Sequence, residues 1–183
     1  MSWLSDRQAR LFGRRLEQDR RDPTPRPGQT LNLESAQRIL VLFPADEAAN
    51  RKTIEAWKEK MRRAKRIITL YGVFEKDFGD ATFDFTAISP KERNWFQLPK
   101  GEMTERFRNE EADLLLRLGP PDDPRLDYLA AISAAQLKVG PFHPGHTPIY
   151  QLQFDGKANA DLNDQLNAIG AIFEFTNAKP SPL

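Results

Sequence analysis

The chain alternates between short, unbroken apolar runs and longer stretches in which apolar residues recur every three or four positions. Ile39-Leu40-Val41-Leu42-Phe43 and Ala112-Asp113-Leu114-Leu115-Leu116 open two such cycles. Each leads through a helix-length amphipathic stretch into a second run, Ile67-Ile68-Thr69-Leu70-Tyr71 and Leu137-Lys138-Val139-Gly140. Continuous apolar strands separated by helices imply parallel pairing with both sheet faces covered. The two strand–helix–strand units, Arg38 to Phe74 and Ala112 to Phe142, therefore predict an α/β fold with a mainly parallel sheet.

The remaining elements follow the same logic. Ile54, Trp57 and Met61 repeat as one buried helical stripe, and Asp46 is placed to cap that helix. Phe83 and Phe85 alternate with Asp84 and Thr86, which predicts a third strand over Thr82 to Ile88. A short helix is expected over Met103 to Arg108. Asp123 before Pro124 reads as an N-cap followed by proline at the first helical position, with Leu126, Leu129, Ala130 and Ser133 on one face. Tyr150 to Phe154 alternates as a peripheral strand, and Leu162, Leu166, Ile169 and Phe173 mark a last helix. The expected strand order is third, second, first, fourth, fifth, with a switch point between the strands at 39–43 and 112–118. The fold class is thus a single three-layer Rossmann-like α/β domain.

Residues 1–21 predict a basic helix outside this plan, with Trp3, Leu4, Leu11, Phe12 and Leu16 apolar and Arg7, Arg10, Arg14 and Arg15 charged. Pro23, Pro25 and Pro27 end it, because proline lacks the amide donor and biases the residue before it to extended geometry. The expected division is a helical extension and linker at 1–28 and the α/β domain at 29–183. Alone in water such a helix is marginal, and its apolar set is of the kind that marks an interaction surface. Trp3, Leu4, Leu11, Phe12, Arg14 and Arg15 are accordingly the candidate partner-binding residues, for a protein partner, a second copy of the chain or peripheral contact with anionic lipid.

The formal net charge of +1 conceals an asymmetry: residues 1–66 hold 16 Lys/Arg against 9 Asp/Glu, and residues 67–183 hold 11 against 17. The near-zero total and the acidic second half argue against nucleic acid as a partner. The absence of cysteine excludes disulfides, thiol catalysis and thiolate metal sites. No stretch approaches the roughly 20 apolar residues that span a bilayer. The charged start lacks a secretory apolar segment, so a cytoplasmic setting is expected.

Familiar catalytic and cofactor motifs are missing. The loop after the first strand, Phe43-Pro44-Ala45-Asp46-Glu47, has no glycine and sets two carboxylates where a helix N-terminus would hold a phosphate. No Walker A loop and no Gly-x-Ser-x-Gly elbow occurs, and neither cofactor nor metal is assigned. What remains is His143 and His146, just after the strand at 137–140, with Asp122 and Asp123 after the neighbouring strand. Imidazoles facing carboxylates can serve as general acid and base. The same residues are also explained as a Pro/Gly-rich turn and a helix cap.

The basic N-terminal helix, the proline linker, Ile39–Phe43, Asn94-Trp95-Phe96 and the stretch from Glu111 to Phe142 together resemble a family of small bacterial α/β proteins catalogued as a domain of unknown function. That resemblance brings no catalytic residues. The segment from Ala112 to Phe142 also resembles the amino-terminal half of heptosyltransferase-type glycosyltransferases. In those enzymes a second Rossmann-like domain holds the nucleotide-sugar donor, and 183 residues do not contain one. Two functions are therefore expected. The first is a non-catalytic interaction or binding protein on a degenerate Rossmann-like core. The alternative is a small enzyme acting on a glycosyl or phosphoryl substrate through the His/Asp cluster.

Overall fold

The apolar runs lie side by side and all point one way. In the computed structural model, which describes residues 6–23, 31–62, 65–94, 98–143, 149–156 and 161–177 and, within these, side chains from 11 to 174, six strands form one parallel sheet. Chain order is α1 (Asp6–Asp19), β1 (Arg38–Pro44), α2 (Ala48–Arg62), β2 (Ile67–Val73), β3 (Thr86–Ile88), α3 (Glu102–Asn109), β4 (Leu114–Arg117), α4 (Pro124–Ile132), β5 (Leu137–Pro141), β6 (Leu152–Phe154) and α5 (Leu162–Asn177). Spatial order is β3-β2-β1-β4-β5-β6, the expected arrangement with β6 at the edge. The switch point falls between β1 and β4, where Ile39 pairs with Leu114 and Leu42 with Arg117. The fold is Rossmann-like α/β. Among the described residues no helix is long and apolar enough to cross a membrane.

Side chains on successive strand positions go to opposite faces. Leu40, Leu42, Tyr71, Val73 and Leu115 join the layer of α1, α3 and α4. Ile39, Val41, Phe43, Leu70, Leu114, Leu116 and Val139 join the layer of α2 and α5. The stripe Leu162, Leu166, Ile169 and Phe173 is buried as its spacing requires.

Three local expectations need correction. The third strand is Thr86–Ile88 rather than Thr82–Ile88, because Phe83 and Phe85 stack on each other at 5.0 Å and on Phe74 at 5.0 and 6.3 Å instead of pairing along β2. Asp46 does not cap α2: its carboxylate accepts from the backbone N–H groups of Glu75 at 2.8 Å and Lys76 at 2.9 Å. In α4 every residue from Arg125 to Ile132 is buried, not one face alone. The reason is that α1, α3 and the sheet all pack against α4, α1 burying Leu16 with Phe12 packed beside it, while Arg117 and Tyr150 cover Asp127.

The segment after α1 is tied down by polar contacts. Tyr128 donates its hydroxyl to Asp19 at 2.8 Å, and Arg21 donates its backbone N–H to Ala131 O at 2.9 Å. Lys138 on β5, only 1% exposed, donates its ammonium to Arg21 O at 2.8 Å and Ala131 O at 3.1 Å. Burial pushes this lysine down to about 8, with the positive charges of Arg20 and Arg21 acting in the same direction against the pull of Asp22.

Two outcomes follow for urea denaturation. Leu16→Ala should cost about 2–4 kcal/mol, as buried Leu→Ala changes do, whereas Leu11→Ala on the outer face should stay within about 0.5 kcal/mol of the parent. Because Lys138 titrates lower in the folded than in the unfolded chain, the unfolded chain holds the extra proton between pH 8 and its ordinary 10.5. Stability should therefore rise with pH above about 8, by up to ~1.4 kcal/mol per unit, until the buried tyrosines, which burial shifts upward, reverse the trend above about 10. Lys138→Met should flatten the rise.

Candidate functional site

Open α/β sheets place ligands outside the carboxyl ends of their strands, at the switch point. The geometry here turns on how that edge is filled. After β1 the chain passes through Ala45 and Asp46, and Arg51 of α2 reaches back to donate to Ala45 O at 2.6 Å and Asp46 O at 2.9 Å. Asp46 in turn holds the turn after β2 through its two amide bonds. That turn leads into a small aromatic core of Phe74, Phe78, Phe83 and Phe85, with the Arg51 guanidinium 5.7 Å above the Phe83 ring. A Cβ at Gly72 would collide with the Phe85 ring, so only glycine lets this cluster settle on the sheet.

The turn after β4 is packed as tightly. Gly119 sits at φ 110°, a conformation that side chains rarely adopt, and a Cβ there would stand 2.8 Å from Pro44. Gln165 from α5 fixes the same residue from behind, accepting from Gly119 N at 2.8 Å and donating to its carbonyl at 3.4 Å. Pro44, Leu126 and Gln165 thus pack closely around Gly119.

Beneath this loop lies a buried polar network that the sequence reading missed. Arg117, fully buried on β4, pairs with Asp127 of α4 at 3.1 Å and donates to Gly119 O at 3.1 Å and Asp123 O at 3.3 Å. Tyr150 donates its hydroxyl to Asp127 at 2.6 Å. Burial, followed by the Asp127 charge, pushes the Tyr150 hydroxyl well above its ordinary range. The available signal was a lone arginine closing an apolar strand, because a charge on a two-sided buried strand needs a partner.

Asp123 performs the expected cap, accepting from Arg125 N at 3.0 Å and Leu126 N at 3.5 Å. Its carboxylate also pairs with the Arg125 guanidinium at 2.6 Å. Burial alone would raise this carboxyl; the hydrogen bonds and charge of Arg125, with Arg117 behind, hold it below the usual range. Arg93 donates to Phe74 O nearby. Burial, and then the like charge of Arg125, lowers it.

The sequence-named residues distribute as follows. Asp122 is exposed in the turn before α4. Asp123 is engaged by Arg125 and the helix amides. His143 is half-buried two residues beyond β5, and Phe142 before it is 57% exposed. His146, Trp3, Leu4, Trp95 and Phe96 lie outside the described residues. On α1, Leu11 and Arg14 face outward, Phe12 packs inward, and Arg15 pairs with Asp19 at 2.6 Å. Among the described residues no group of three or more acidic or imidazole side chains converges as a metal site would require.

The fold defines a Rossmann-like α/β protein. It belongs to a family of unknown function, DUF6913, whose model matches residues 11–169. No curated protein and no solved structure matches it significantly.

The buried network and the strained glycine make testable demands on stability. Asp127→Ala strands the Arg117 charge and should cost about 3–5 kcal/mol, while the double change Arg117→Met with Asp127→Leu should recover part of that loss. Gly119→Ala should cost about 1–3 kcal/mol through backbone strain. Chemical denaturation checks both.

Proposed function

We propose that the chain is a non-catalytic binding or interaction protein built on a degenerate Rossmann-like core. The observation that carries this reading is that polar groups at the carboxyl ends of β1, β2 and β4 are engaged by the chain itself. Arg51 donates to the carbonyls of Ala45 and Asp46, Asp46 accepts from the amides of Glu75 and Lys76, and Gln165 holds both backbone groups of Gly119. The side chains left near that edge support the same reading, since Asp46 and Asp123 already serve backbone amides and an arginine. The likeness to heptosyltransferase amino-terminal halves supports the scaffold and supplies no donor site.

The partner surface in this proposal is the outer side of α1, where Leu11 is 36% exposed beside Arg14. The inner side is engaged with α4, so α1 presents a fixed face instead of a free peptide. The occupant is a protein partner or a second copy of the chain. A bacterial cytoplasmic setting belongs to the same proposal, and the family resemblance supports its bacterial part.

Thermal-shift measurements with nucleotides, nucleotide sugars and divalent metals provide the first test. A specific ligand at 100 times its dissociation constant adds about 2.7 kcal/mol of stability, so the expected result is no shift with any of them. In-cell crosslinking should then recover a partner peptide attached to residues 11–15, lost on Leu11→Asp. A ligand-induced shift abolished by His143→Ala or His146→Ala would replace this reading with the small-enzyme alternative.

A further inference from the structure

Helix α1 and residues 20–22 are bound to the rest of the molecule chiefly through polar groups. Among the described side chains of α1, only Leu16 is buried, with Phe12 packed beside it. The other ties gather at two places. The Asp19 carboxylate accepts the Tyr128 hydroxyl at 2.8 Å and pairs with Arg15 of its own helix at 2.6 Å. At Arg21 three elements meet. Its backbone N–H donates to Ala131 O on α4 at 2.9 Å, its guanidinium donates to Arg108 O on α3 at 3.0 Å, and its carbonyl accepts from Lys138 on β5 at 2.8 Å. Segments with few buried apolar contacts are the ones that open locally before a domain unfolds.

Lys138 is the unusual partner. It is 1% exposed, and both acceptors of its ammonium are carbonyl oxygens, Arg21 O and Ala131 O. The charges that act on it are the attraction of Asp22, itself paired with Arg20 at 3.2 Å, and the repulsion of Arg20 and Arg21. All three groups belong to residues 20–22. That segment therefore covers the ammonium, supplies one of its two acceptors and sets the field around it. Lifting the segment returns the charge to water, and seating it takes the charge out again, which disfavours the charged form. From α4 the titratable group facing the helix is Tyr128, beside Asp19 and Arg15, and burial raises it above its ordinary 10.

We infer that α1 with residues 20–22 is a latched arm, which seats on α4 and β5 and lifts from them as one unit while the sheet stays folded, with Lys138 as the latch. The sheet and the core on its α2 and α5 side take no residue from the arm. The latch gives the arm a definite response to pH. With the arm lifted, Lys138 regains its ordinary 10.5, and with it seated the value is about 8. Seating therefore releases a proton between these limits, and the ratio of lifted to seated arm falls there by up to about tenfold per pH unit. Below 8 both states hold the proton and the ratio is constant. Lifting uncovers the side of α4 on which Leu16 and Phe12 pack. The inference concerns the inner side of α1 and stands whether or not its outer side has a partner.

The test uses the full chain, which has no cysteine of its own. Nitroxide labels go on Arg14→Cys in α1 and Ala134→Cys just after α4, both exposed positions. The distance between labels reports seating along a urea series from about pH 7 to 9.5, below the tyrosine range. Amide NMR peaks of Val41 and Leu115, on the same variant with diamagnetic labels, report the sheet. The expected result is loss of the label distance at lower urea than loss of the sheet peaks, with the release midpoint rising as pH passes about 8. Lys138→Met should abolish that rise, whatever its own midpoint. Asp22→Asn removes the attraction that holds the lysine up, so the rise should begin at lower pH. Being an exposed change, it keeps the test valid should Lys138→Met unfold the chain. Simultaneous loss of label distance and sheet peaks at every pH overturns the arm. Separate loss without pH dependence, or a pH dependence that survives Lys138→Met, overturns the latch. Neither failure touches the partner reading of α1, which crosslinking decides separately.

Discussion

One buried guanidinium organises the molecule. Arg117 has no solvent exposure and lies on the strand that adjoins the switch point. Removing a charge from water costs several kcal/mol, which only close partners offset. Arg117 finds them in Asp127 and in the carbonyls of Gly119 and Asp123. Those contacts set the path of the loop after β4 and the start of α4 together. Asp127 then draws in Tyr150, which can lie where it does because Gly140 is a glycine: a Cβ there would stand 2.5 Å from the ring. Loop, helix and the approach to β6 are thereby coupled through a single side chain.

That coupling fixes the loop beside the switch point. In a sheet of this order the loop after β4 borders the ligand crevice, and a loop that hydrates with the arrival and departure of a ligand cannot also supply the carbonyls that keep a buried charge satisfied. Here the loop is fixed from below by Arg117 and from behind by Gln165. The other side of the switch is fixed by Asp46 and Arg51. Large apolar side chains meet solvent at both ends of the sheet, Ile67 at the start of β2 and Phe142 just after β5.

The strand plan was legible because it rests on unbroken apolar runs, whose burial on both faces follows from parallel pairing alone. The third strand was overestimated for a reason the pattern cannot contain. Alternation at Phe83 and Phe85 suits a strand and an aromatic cluster equally, and Gly72 decides between them by making room for a ring. In the same way, Leu126, Leu129 and Ala130 identify one face of α4, but burial of the whole helix depends on partners distant in sequence, among them α1, more than a hundred residues earlier, and Tyr150. Asp46 shows the limit most clearly. Its local context permits a helix cap, and amide groups of Glu75 and Lys76, about thirty positions away, win its carboxylate instead. The cap at Asp123 was legible because proline at the first helical position leaves that helix start no competing geometry. The polar network was not, since Arg117, Asp127 and Tyr150 converge only through the fold.

The charge asymmetry along the sequence has a different fate in three dimensions. The basic first third of the chain contributes α1 to one face of the sheet and α2 to the other, so the sheet itself separates its cationic groups. Several are already engaged: Arg15 with Asp19, Arg20 with Asp22, Arg62 with Glu59, and Arg38 with Glu111 from the acidic part. Arg51 is turned onto backbone carbonyls and a phenyl ring. At physiological ionic strength exposed charges more than about 8 Å apart act almost independently, so a sum taken along the chain does not become a field on one surface. The electrostatic character of each face is therefore set by the few side chains on it and not by the balance of the segment it comes from.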